Sequence, residues 1–186
     1  MTELMARVHV VVDASPEQVW EGLTSPELTR LWMGGAEVAS DWTPGSTVTW
    51  SGLVAGQPFE DSGTVLEVDR PTRLRTTHRS GGLALADAPL DPHVVTYEVM
   101  AEQGGTVVTV TQEGLGQTPD SVAEYEQTWA LLLGRLKGVL QERGEAASRC
   151  GGGAPGPTDS RHEGRGLGLV RSDRFLARRL AAGGRP

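Results

Sequence analysis

Residues 119–144, PDSVAEYEQTWALLLGRLKGVLQERG, decide the fold. Val122, Tyr125, Trp129, Leu132, Leu133, Leu136, Val139 and Leu140 recur at three- and four-residue steps, the period of an amphipathic helix. Glu124, Glu126, Arg135, Lys137, Gln141 and Glu142 fall largely on the other side. Asp120 or Ser121 suits the N-cap and Gly144 the position past the last turn, so the spacing predicts a helix ending near Arg143. A helix with one apolar stripe must lay it on another layer.

That layer precedes it. Residues 6–12 (ARVHVVV), 46–52 (STVTWSG), 62–69 (SGTVLEVD), 73–79 (RLRTTHR), 94–100 (VVTYEVM) and 105–112 (GTVVTVTQ) read as about six strands. Thr43-Pro44-Gly45, Asp69-Arg70-Pro71 and Gln103-Gly104-Gly105 mark turns between them, too short for crossover helices, so the pairing is antiparallel. Two short helices are expected within residues 14–35. Ser15-Pro16-Glu17-Gln18 forms a capping box, and Ser25-Pro26-Glu27 restarts the helix ten residues on. Residues 80–93 (SGGLALADAPLDPH) are long for a hairpin loop and carry Leu83, Leu85 and Leu90; a surface insertion and a lid over a cavity mouth both fit.

Composition divides the 186 residues in two. Residues 1–143 carry 9 Lys and Arg against 20 Asp and Glu, a balance of −11; residues 144–186 carry 8 against 4, a balance of +4. The acidic part, 1–143, reads as one domain, and its charge repels phosphate backbones, so no nucleic-acid partner is expected. The Gly/Arg-rich part, 144–186, buries too little apolar surface to order and reads as a basic tail. Phe175, Leu176 and Leu180 give it a weak option of membrane contact. Cys150 has no second cysteine to pair with, and no apolar run reaches the ~20 residues of a membrane span. The N-terminus lacks the order of a signal peptide, and a cytoplasmic location is the expectation.

No chemistry-bearing motif stands out. Gly-x-Gly-x-x-Gly after a strand, GxxxxGK[ST], GxSxG and HExxH are all missing, and His9, His78, His93 and His162 are scattered, so neither cofactor nor metal is expected. His78 shows no carboxylate partner at a fixed spacing and is expected to hydrogen-bond at a strand end. Alternation puts Glu98 opposite Tyr97, on a solvated face.

The residues also carry a resemblance. ASPEQVWEGLTSPELTRLWMGG after a short strand, PGSTVTWSG at 44–52, GTVLEVDRPTRLRTTH at 63–78, VTYEVMAEQGGTVVTVTQEGL at 95–115 and the helix with Trp129, Leu132, Leu133 and Leu136 resemble the SRPBCC (START/Bet v-like) superfamily. Within it, the chain resembles the activator of heat-shock protein 90 ATPase homologue-like (AHSA-type) family over residues 6–143. Thr128 departs from the Gly-Trp common among relatives and is expected to tighten the helix against the sheet. The resemblance implies an α+β helix-grip fold: a curved antiparallel sheet gripping the long helix, with a hollow between them.

Alternation then picks the residues that would line the hollow: Val48 and Trp50; Leu74, Thr76 and His78; Val95, Tyr97 and Val99; and, from the helix, Tyr125, Trp129, Leu132, Leu133 and Leu136. Such a lining suits a small hydrophobic or aromatic molecule. The first reading is therefore a binding module for a small hydrophobic ligand, monomeric or homodimeric. The second is a protein-interaction module, a stress-related co-chaperone. In eukaryotic members that role involves an additional N-terminal domain, whereas only five residues precede the first strand here. The third, a cyclase- or dehydratase-like enzyme, rests on the fold alone.

Overall fold

The computed structural model describes residues 5–54, 56–79, 93–114 and 119–150. Strand β1 (Ala6–Val12) leads into helices α1 (Pro16–Thr24) and α2 (Pro26–Trp32). Strands β2 (Glu37–Ser40), β3 (Thr47–Val54), β4 (Gln57–Asp69), β5 (Arg73–His78), β6 (His93–Glu102) and β7 (Gly105–Glu113) follow, and α3 (Pro119–Cys150) closes the order. Every neighbouring pair is antiparallel, in the order β1-β7-β6-β5-β4-β3-β2. The result is the expected α+β helix-grip architecture, a curved sheet around a long helix.

The early helices start as their sequence dictates. Ser15 N–H donates to Gln18 Oε1 at 2.8 Å and Gln18 N–H to Ser15 Oγ at 3.3 Å, a reciprocal capping box. Ser25 separates the two helices, but its hydroxyl turns to Glu27 at 2.6 Å rather than capping a backbone N–H. Two bonds lock the pair in place. Trp32 Nε1–H donates to the Gly22 carbonyl at 2.8 Å, and the buried Thr29 hydroxyl accepts from Val38 N–H at 3.1 Å.

Three expectations change. There are seven strands rather than six: β2 is only four residues long with one buried apolar side chain, Val38, too little for a period-two signal. Strand β4 starts at Gln57, not 62. Its first residues pair with β3 before the β5 pairing begins, so among the described residues one edge is unpaired there, where Pro58 is tolerated. Helix α3 runs to Cys150, six residues beyond the expected C-cap Gly144, which lies inside the helix. With no proline to stop it, Glu145-Ala146-Ala147 are strong helix formers that outweigh one glycine. The cap proposed at Asp120 or Ser121 and the residues of the tail beyond 150 lie outside the described side chains.

The core fills one face of the sheet. Val12, Val48, Val65, Leu74, Val95, Tyr97, Val99, Val108 and Val110 pack with Val19, Trp20, Leu23, Trp32, Trp129, Leu133, Leu136 and Leu140. At Gly22 helices α1 and α3 pack closely, since a Cβ there would meet a Leu136 methyl at 2.9 Å. The opposite face is solvated, with Glu98 paired to Arg73 at 2.9 Å and Glu113 to Arg75 at 3.2 Å, as alternation places Glu98.

Candidate functional site

Strand register sorts the inner face into rows that cross the sheet. One row is largely apolar: Leu74, Tyr97, Val110 and Val8 stand side by side. The next is Val65, Thr76, Val95, Gln112 and Ala6, with two polar members. Beyond it His78 on β5 pairs with His93 on β6, and Trp50 on β3 pairs with Asp61 on β4. Strands β4, β5, β6 and β7 thus grow more polar toward one end of the face.

Helix α3 covers this face unevenly, packing chiefly along β1 and against α2. Trp129 sits over the polar row, its ring edge-on to Tyr97 with centroids 5.8 Å apart and its Nε1–H donating to Gln112 Oε1 at 2.6 Å. Burial pushes the Tyr97 phenol far above its ordinary pKa, so it stays protonated. Thr76 lies in the same row, 1% exposed, and its Oγ1 is buried with no partner among the described residues. A buried hydroxyl left unbonded costs about 1–3 kcal/mol. Native proteins carry few such atoms, usually where a water, ion or ligand belongs.

Next to Thr76 the face opens. The Trp50 and His78 rings meet edge to face, centroids 5.0 Å apart. Gly63 stands between their strands, and a Cβ there would run into the Thr77 carbonyl and come within 3.3 Å of the Trp50 ring. Glycine at 63 is what lets the Thr77 carbonyl and the Trp50 ring pack this closely on β4. His78 Nε2 lies 3.2 Å from Asp61 Oδ2, with the two side chains 27% and 14% exposed. His78 hydrogen-bonds at its strand end, as expected, and the partner is a carboxylate that no fixed-spacing motif reveals: Asp61 is 17 residues upstream, on the neighbouring strand. His93 hydrogen-bonds the Gly114 carbonyl at 2.9 Å through Nδ1, and its ring lies 5.8 Å from that of Tyr125 on α3.

The thirteen residues expected to line a hollow divide between two surroundings. Val48, Leu74, Val95, Val99, Leu133 and Leu136 are core, in contact with one another or with the helices, and Leu132 packs at its margin. Trp50, His78 and Tyr125 are only partly buried and lie at the polar end, with Thr76, Tyr97 and Trp129 at the junction. Thr128 does not tighten the helix against the sheet through its hydroxyl, which turns back to the Glu124 carbonyl at 2.9 Å. An open hollow of about 990 Å³ lies elsewhere, between Arg30, Glu37, Leu53 and Phe59, and includes none of the thirteen. The proposed lid falls on residues 80–93, of which only His93 is described. Sequence reasoning missed Asp61, Gly63, His93 and Gln112. A consistent alternation signal existed for Gln112, two residues past Val110.

No three or more His, Cys, Asp or Glu side chains group to hold a metal ion among the described residues. Nor is any described helix long and apolar enough to cross a membrane.

The sequence pattern of the family described as Activator of Hsp90 ATPase homolog 1-like protein matches residues 13–141. Among solved structures, the chain is similar to ChR145 from Cytophaga hutchinsonii, a solution structure 34% identical, with 78% of this chain and 99% of that one covered at a TM-score of 0.66. It shares its fold with DynU16, a protein in the dynemicin biosynthetic locus, at 23% identity and a TM-score of 0.62, covering 74% of this chain and 47% of that one. The same holds for the Aha1 dimer from Colwellia psychrerythraea, at 19% identity and a TM-score of 0.59, covering 74% and 96%. No curated protein matches.

Proposed function

The chain belongs to the Activator of Hsp90 ATPase homolog 1-like protein family, and on that premise we propose that it is a binding module for a small, largely hydrophobic molecule. The ligand lies on the inner face of the sheet where α3 does not seal it. One observation carries this reading: a row of half-open rings, Trp50, His78, His93 and Tyr125, crosses β3, β5, β6 and α3 beside an unbonded buried hydroxyl. Core-filling alone has no use for such an arrangement. Aromatic walls with a few polar groups are what small-molecule sites are made of.

A protein-contact reading has one observation of its own. Val11, Val107 and Met100 stand in register on the outer face, and Val11 and Met100 are 48% and 58% exposed. Three side chains fall short of the several hundred Å² that mark an interaction patch, so this reading ranks second.

Native mass spectrometry of the full chain, followed by denaturation, tests the binding reading, together with a thermal-shift series of fused-ring aromatic compounds. A released small molecule, or a melting temperature that climbs with compound concentration, is the expected outcome. A clean protein whose melting is indifferent to every compound would overturn it.

A further inference from the structure

The polar row offers a direct internal comparison. Gln112 and Thr76 flank Val95 on the same face, two strands apart and both buried. Gln112 receives the Trp129 indole N–H; Thr76 Oγ1 has no partner among the described residues. The helix serves one end of the row and stops short of the other.

His78 is the next inward residue on β5 after Thr76. Neighbours on one face of a strand lie about 6.5–7 Å apart at Cα. A single oxygen set between their side chains reaches both with hydrogen bonds of about 2.8 Å. Asp61 faces His78 Nε2, which places the proton of a neutral imidazole on that nitrogen and leaves Nδ1 as an acceptor. The Thr76 hydroxyl has its proton to donate. A group set between the two would therefore accept from Thr76 and donate to His78, and a hydroxyl does both.

Charge narrows the class. A carboxylate would sit beside Asp61 in a domain whose residues 1–143 balance at −11. An ammonium carries no lone pair and cannot accept the hydrogen bond that Thr76 offers. The Trp50 ring, resting over Gly63, supplies a flat apolar wall beside the pair.

We propose that Thr76 and His78 form the head-group site of this face, and that its ligand is a neutral aromatic alcohol or phenol. Its hydroxyl accepts from Thr76 Oγ1 and donates to His78 Nδ1 while its ring lies along Trp50. The proposal rests on the binding reading above and specifies what that reading leaves open.

The test uses the full chain and three matched probes: naphthalene, 2-methoxynaphthalene, which keeps the acceptor and loses the donor, and 2-naphthol. Affinities are measured by NMR titration. The expected result is 2-naphthol at least about tenfold tighter than either of the others. Thr76→Val should erase most of that preference while raising the melting temperature of the unliganded protein by about 4 °C, because it removes an unbonded buried hydroxyl. A residue that merely supported the fold would give the opposite thermal sign. Equal affinities for all three probes in the unaltered chain would overturn the head-group assignment and leave the binding reading standing. So would a full preference retained in Thr76→Val, or a melting temperature lowered by that change, the latter meaning that a trapped water already satisfies the hydroxyl. Binding of none of the three would overturn the head-group assignment and, with a clean protein by native mass spectrometry, the binding reading as well.

Discussion

The two ends of the inner face are built from the same strands and differ in how α3 treats them. Under the middle of α3, Leu133 and Leu136 share one buried cluster with Val99, Val108, Trp20 and Trp32, and the layer is sealed. At the other end Leu74 gives way to Thr76 and His78, Val110 to Gln112, and Val65 to Gly63 and Asp61. The sealed end makes the domain fold. The polar end costs stability, and the unbonded Thr76 is its clearest sign. A face that only had to fold would continue in valines, so the difference marks where selection asked for something besides packing.

The largest effect should come from the sealed end. Leu136 is fully buried against α1, and Leu136→Ala should cost about 3 kcal/mol in urea unfolding, the middle of the range for a leucine core truncation. A loss under about 1 kcal/mol would mean that α3 is loosely seated and that the two ends are less different than described.

Trp129→Phe probes the junction. It keeps a ring near Tyr97 and removes the indole N–H, leaving Gln112 Oε1 in the state of Thr76 Oγ1, at a cost of about 2 kcal/mol. Its sign should be opposite to that of Thr76→Val. If both changes destabilise equally, the contrast between a served and an unserved end of the row is lost.

Alkaline pH gives a smaller and more gradual effect. The unfolded chain releases the Tyr97 proton near the ordinary phenol value of about 10, whereas burial makes the folded chain hold it. Above that pH the unfolded state binds fewer protons, so stability, fully present below it, should fall by up to about 1.4 kcal/mol per pH unit. Urea midpoints of the chain and of Tyr97→Phe between pH about 9 and 11 check this: the variant should lose the part of the slope that Tyr97 contributes, and identical slopes would contradict it.

The smallest effect should follow truncation after Arg143. Residues 145–149 of α3 are exposed, and their removal should change stability by less than about 0.5 kcal/mol by urea titration. A larger loss would extend the sealed end to the last turns of the helix.

The legibility of this chain follows the same division. Periodicity located the α3 stripe, and alternation assigned Val48, Leu74, Tyr97 and Val99 to one face, because burial imposes period on sequence. The capping box at Ser15 and Gln18 was readable because it is local. The end of α3 was misplaced because a glycine is a stop signal only when the following residues cannot continue the helix. Asp61 with His78, and His78 beside His93, were invisible because register brings them together across hairpins. Gly63 reads in the sequence only as one residue of the strand at 62–69; the ring passing over it shows its use.

The five tryptophans report on both ends at once, since Trp20 and Trp32 belong to the sealed core while Trp50 and Trp129 border the polar end, with Trp42 packed at the core's margin. Their indole N–H signals, followed by NMR as an aromatic probe such as 2-naphthol is added, test the central claim most directly. Movement of the Trp50 and Trp129 signals, with Trp20, Trp32 and Trp42 left in place, is the result this account expects. Movement confined to the other three, or none at saturating probe, would contradict it.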